Sequence, residues 1–127
     1  MRYSVVLAAL CVLAPAAHAK DVRVVKPIDG YACKSLVATE AQQMDTRWAG
    51  VPILTAPNPS APRGTVAAAT VIAKEPAHVV NGYAEVLQLT GKPGWIEADK
   101  IKPYHSRSNP YARCTPSVLS NGRIGFG

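Results

Sequence analysis

The side chains able to do covalent or acid–base work are few, and their spacing does not favour it. Ser35, Ser117 and Ser120 stand in no Gly-x-Ser-x-Gly setting, the sharp turn that exposes a nucleophilic hydroxyl. Cys33 would need a free thiol beside a base to attack anything. His78 and His105, taken with the cysteines, match no metal-ligand pattern. Glu97 and Asp99 read as a solvated turn rather than as two carboxylates flanking a scissile bond. The expectation is a non-enzymatic chain with no metal and no cofactor.

What remains is aromatic surface. Tyr83 and Trp95 are expected to form a ligand-binding face, with Tyr104, beside Pro103, extending it. Aromatic grooves of this kind accept Pro-rich or glycan segments. The competing reading places Trp95 mainly in the core. Tyr111, in a loop, is a further candidate. Trp48 either plugs the core or projects from the segment before it.

Such a face has to be carried on strands. Eleven prolines and nine glycines are spread along the chain, which predicts short elements joined by turns rather than a helical bundle. Residues 22–25 form a short β-branched piece that ends at Pro27 and an Asp29-Gly30 turn. Residues 31–38 are expected as a strand, followed by one or two helical turns at 39–45 with Thr39 as N-cap. The rival is a single helix from Ala32, because Cys33, Leu36, Val37, Ala41 and Met44 fall near helical spacing. Residues 51–56 predict a strand, 57–64 (PNPSAPRG) an exposed loop, and 65–73 (TVAAATVIA) a buried strand. The chain turns at Asn81-Gly82, and 83–89 alternates as a strand does. Gly91-Lys92-Pro93-Gly94 then reads as a hairpin tip whose glycines accept positive φ, followed by Trp95-Ile96, a turn at 97–99 and Ile101. Ile96 and Ile101 point inward in this reading. From His105 the chain is loop-like until a final turn and edge strand in SNGRIGFG.

Taken in order, these features resemble a bacterial SH3-like domain. The residues that carry the likeness are the Pro57–Pro62 loop after a first strand, Gly64, then Gly82-Tyr83-Ala84-Glu85-Val86, then Gly91-Lys92-Pro93-Gly94-Trp95-Ile96, and last Ile101. They span roughly residues 50–104. Tyr83 stands where such domains commonly carry Trp, and the segments 31–50 and 105–127 have no counterpart. The resemblance implies a small β-barrel, with cell-wall peptide or a protein partner as the ligand class. The two unmatched segments are expected to be additions that wrap it.

The compartment follows from the first nineteen residues. Arg2 precedes an apolar run over 5–14, too short to span a bilayer, and Ala17-His18-Ala19 has the form of a cleavage site. The alternative is a short anchor that stays on. Cys11 lies inside the run, and Leu10 before it does not suit lipidation. Cleavage would leave one domain over 20–127 that retains Cys33 and Cys114, with no integral membrane span. In an exported protein two such cysteines are expected to pair rather than stay as separate buried thiols. The bridge would tether the C-terminal tail, and by loop entropy it stabilises by roughly 4–5 kcal/mol, comparable to the net stability of a small domain. Thirteen Lys and Arg against eight Asp and Glu give the cleaved chain a charge of +5. These charges are scattered, so nucleic acid is not expected as a partner. The sequence therefore predicts a periplasmic or secreted SH3-like binding module of the bacterial envelope that contacts a cell-wall component or an envelope protein. The alternative is an inhibitor or accessory subunit of a secreted enzyme or assembly, contacting through the stiff 57–64 loop.

Overall fold

The computed structural model describes residues 21–106 and 108–126, so the expected signal segment over 1–19 lies outside the described residues. The described chain is mainly β, with two short helical turns.

Its centre is the hairpin of β7 (Tyr83–Leu87) and β8 (Pro93–Glu97), paired antiparallel from Tyr83↔Glu97 to Leu87↔Pro93. The tip sits earlier than the sequence predicts. Gln88 N–H donates to Lys92 O at 2.8 Å, Gly91 N–H donates to Gln88 O at 2.8 Å, and Gly91 has φ 86. Pro93 and Gly94 are already within β8. Pro93 opens the strand, a position where proline is tolerated. Gly94 is needed for closeness rather than for turning: a Cβ there would overlap the Ile53 side chain and come within 3.3 Å of Leu54 O.

Strands add on both sides of this hairpin. The sheet order is β4 (Arg63–Val66), β3 (Pro52–Leu54), β8, β7, β5 (Thr70–Lys74), β2 (Tyr31–Leu36), β9 (Ile101–Pro103), and β6 (Val79–Val80) also pairs with β7. The end strands β4 and β9 do not pair with each other among the described residues, so the sheet is not closed by hydrogen bonding. The single buried strand predicted over 65–73 is two strands. β4 is exposed along its whole length and stops at Val66, whereas Val71, Ile72 and Ala73 of β5 are buried. The small alanines between them carry the chain across without any turn residue to announce it.

The open question at 31–44 resolves as strand plus turn. β2 pairs with β5 through Cys33↔Ile72 and its neighbours, and with β9 through Leu36↔Ile101, which fixes it as extended chain. One helical turn, α1 (Glu40–Met44), follows. Gln42 N–H donates to Thr39 Oγ1 at 3.1 Å and Thr39 N–H donates to Gln42 Oε1 at 2.9 Å, a reciprocal capping box.

Alternation along the strands builds the core. Val71 and Ala73, Ala84 and Val86, and Ile96 all point to one face and pack with Leu36, Val51, Ile53 and Ala67. Ile101 and Trp48 pack against the edge of this cluster, so Trp48 belongs to the core margin. Ile72 points to the opposite face, yet it is 1% exposed. That side of β2 is met by a second, three-stranded sheet, β1 (Val24–Pro27), β10 (Pro116–Leu119) and β11 (Ile124–Phe126), in the order β1-β10-β11. Ile28 N–H donates to Pro116 O and extends the β1–β10 ladder, while Ile124 N–H donates to Leu89 O, which ties the small sheet to the segment after β7 of the large one.

Cys33 and Cys114 are bonded, with Cα atoms 6.0 Å apart and a sequence separation of 81. The pairing is as expected, but its setting differs. Cys33 is in β2, between β5 and β9, rather than in an addition outside the main sheet. The bridge therefore ties the C-terminal segment straight onto the large sheet.

Candidate functional site

The alternation that buries Ala84, Val86 and Ile96 turns Tyr83, Glu85 and Trp95 to the other face of the hairpin. Glu85 is the direct cross-strand partner of Trp95, and Tyr83 is one diagonal away from it. The structure thus brings Tyr83 and Trp95 together. Their exposures differ: Trp95 is half-buried, whereas Tyr83 is 9% exposed and backs the face more than it presents surface.

The face has a third component. Asn81, with φ 52, and Gly82, with φ 80, turn the chain between β6 and β7 and set the pairs Val80↔Tyr83 and Val79↔Ala84. The next position outward places His78 beside Glu85. The His78 ring Nδ1 lies 3.0 Å from Glu85 Oε2, and the ring meets the Trp95 indole edge-on, with centroids 5.5 Å apart and an interplanar angle of 62°. Lys74 Nζ reaches the same carboxylate oxygen at 3.2 Å. The hydrogen bond from His78 holds the Glu85 carboxyl below its ordinary range. Partial burial opposes this, and the hydrogen bond and charge of Lys74 add to it. The arrangement orients an indole, and Glu97, the cross-strand partner of Tyr83, projects to the same side.

The Pro-rich loop borders this face. Asn81 Nδ2 donates to Pro57 O at 3.2 Å, and Leu54, at the end of β3, pairs with Trp95. The loop is braced from within. Asn58 Oδ1 accepts from Ser60 N–H at 3.1 Å and from Ser60 Oγ at 2.9 Å, and Thr55 N–H closes it on Pro62 O at 3.0 Å.

Tyr104 goes elsewhere. It follows β9 at the far margin of the sheet and lines a cavity of about 220 Å³ with Ser35, Thr70, Lys102 and His105. A second recess, of about 130 Å³, lies between β4 and the hairpin tip and is lined by Val66, Leu87, Leu89 and Arg123 among others. Tyr111 is 89% exposed.

The residues weighed for covalent chemistry hold the fold together. Ser35 Oγ accepts from His105 N–H at 2.9 Å and donates to His105 O at 3.3 Å. Ser117 Oγ donates to Thr115 O at 3.1 Å, and Ser120 Oγ accepts from Arg23 N–H at 3.0 Å. Cys33 is spent in the bridge. Glu97 ends β8, and Asp99 sits in the 3-10 turn Ala98–Lys100. Among the described residues, no three of His, Cys, Asp or Glu gather as a metal site, and no helix is long and apolar enough to cross a membrane.

Sequence reasoning missed two side chains here. His78 was recoverable, because an Asn-Gly turn fixes the pairs outward from its tip. Gln88 was not. It is buried, its Oε1 accepts from Thr65 N–H at 3.0 Å and Thr65 Oγ1 at 2.9 Å, and its Nε2 donates to Pro93 O at 3.3 Å. No local pattern announces that bracing of β4 against the hairpin. Comparison with protein-family models, with curated proteins and with solved structures finds no match to this chain.

Proposed function

We propose that the chain is an exported, non-enzymatic SH3-like binding module of the bacterial envelope, and that the Tyr83–Trp95 face contacts a cell-wall peptide or an envelope protein. The observation that carries this reading is the half-buried Trp95 indole, held edge-on by His78 over Glu85 and bordered by the Pro57–Pro62 loop. An aromatic ring fixed in advance loses little conformational freedom when a ligand lies across it. The order of elements supports the SH3-like part: a Pro-rich loop after β3, the β7–β8 hairpin, and Ile101 of β9 closing on the core. The Cys33–Cys114 bond fits an oxidising compartment and, with the signal-like first nineteen residues, supports periplasmic or secreted residence.

Co-sedimentation with purified peptidoglycan tests the ligand class. At low salt, where the positive net charge helps most, the protein is expected to pellet with the wall and Trp95→Ala to stay in the supernatant. Wild-type protein left in the supernatant removes the wall as ligand. A second reading, an inhibitor or accessory subunit, is favoured by the internal bracing of the 55–62 loop, which suits a rigid protein contact. Cross-linking in the intact envelope separates the two: loop-to-protein cross-links without wall retention select the second.

A further inference from the structure

The cavity beside β9 gathers several polar donors from separate elements. It is lined by the apolar Leu36 and Ala69 and by Gln43, Thr70, Lys102, Tyr104 and His105. No Asp or Glu lines it. Three cations elsewhere meet acids: Lys34 pairs with Glu75 at 3.3 Å, Lys74 with Glu85 at 3.2 Å, and Arg47 with Asp45 at 3.6 Å. Among the described residues, the Lys102 ammonium, the Tyr104 hydroxyl, the Thr70 hydroxyl, the Gln43 carboxamide and the His105 ring have no hydrogen-bond or ion-pair partner. Ser106, also in the wall, is engaged, since its Oγ accepts from Asn109 N–H at 3.3 Å.

The wall is also held in place. Ser35 Oγ bonds both the N–H and the carbonyl of His105, which pins the chain as it leaves β9. Lys102 is fixed at the backbone by the pair Ser35↔Lys102. Gln43 comes from α1, whose start is locked by the capping box. Three separate elements thus deliver donors to one recess with no acceptor charge to satisfy them.

A recess of about 220 Å³ is smaller than a typical drug-sized pocket, which starts near ~300 Å³, and is of a size for a single residue or a short dipeptide. Its donors answer an anion: an ammonium carries full charge, and neutral hydroxyl and amide donors fix orientation. We propose that this cavity binds the carboxylate of a small organic acid of amino-acid to dipeptide size, with Lys102 as the charge partner, Tyr104, Thr70 and Gln43 as neutral donors, and Leu36 and Ala69 under the ligand's apolar part. The site is separate from the Tyr83–Trp95 face, and either can exist without the other.

The test is a titration of the oxidised full chain followed by backbone amide chemical shifts. The probes are N-acetyl-alanyl-alanine, its C-terminal amide and inorganic phosphate. The dipeptide acid is expected to saturate below about 10 mM and to move the amides of Leu36, Thr70, Lys102 and His105. The amide probe is expected to bind at least about fivefold more weakly, as suits loss of one partly exposed charge contact. Lys102→Ala is expected to weaken the acid to the level of the amide, and Lys102→Arg to restore much of the difference. Tyr104→Phe removes one neutral donor and should cost about twofold to fivefold. Lys102 is exposed and Tyr104 half-buried, and neither belongs to the core cluster, so these variants leave the core untouched. The proposal is overturned by any of four results: no saturation, equal binding of acid and amide, shifts centred on Trp95, or saturation by phosphate with none by the dipeptide acid.

Discussion

Glu85 stands directly opposite Trp95 across the β7–β8 ladder, and the His78 ring touches both, at 3.0 Å from the carboxylate and 5.5 Å from the indole centroid. The three side chains come from three successive strands, β7, β8 and the lead-in to β6. The indole therefore packs against a ring that is itself held by the Glu85 carboxylate.

The Glu85 contact makes stability depend on pH with a definite sign. The Glu85 carboxyl is held below its ordinary range in the folded chain, chiefly by the His78 hydrogen bond. Its contribution to stability is then fully present above the ordinary carboxylate range and is lost as pH falls through the lowered folded value. Wild-type protein is expected to exceed Glu85→Gln by on the order of 1 kcal/mol at neutral pH, with the gap closing in acid. Urea midpoints at both pH values measure it; a gap that widens in acid contradicts the assignment.

Gly91 and Gly94 separate two uses of glycine. Gly91→Ala places a side chain at φ 86 in an open turn and is expected to cost about 1 kcal/mol. Gly94→Ala must push Ile53 out of the core and is expected to cost about 1–3 kcal/mol. Denaturant unfolding of the two variants checks the order, which reverses if Gly94 serves only as part of the turn.

These two glycines also show where the sequence stops being readable. The hairpin itself was legible, because Gly91 marks its turn and alternation marks its strands. The role of Gly94 was not, since it depends on β3 crossing from forty positions earlier in the chain. Likewise the Asn81-Gly82 turn was legible and carried enough information to place His78 beside Glu85. Lys74 was not, because its approach depends on the β5–β7 pairing across the 75–80 connection. The sequence also left β2 outside the sheet. Its spacing fits a helix as well as a strand, and only pairing with β5 and β9 decides between them. For the site, Tyr83 and Trp95 follow from period two along adjacent strands, whereas the separate setting of Tyr104 follows from sheet order, which no local pattern gives.

Reduction of the Cys33–Cys114 bond releases the C-terminal segment from β2. It is expected to lower stability by on the order of 2–5 kcal/mol. Hydrogen exchange should rise first in β10, β11 and β1, with β7 and β8 still protected. Equal protection of the small sheet in oxidised and reduced protein contradicts the bridge as its main tether.

The most direct measurement of the contact face uses the chain's two tryptophans as internal controls. Soluble muropeptides are titrated into isotope-labelled protein, and the two indole N–H resonances are followed. Trp95 is expected to shift saturably, while Trp48, packed against the core margin, stays in place. A saturable shift of Trp48 alone, or no shift at either indole while the ligand binds, contradicts the Tyr83–Trp95 face as the point of contact.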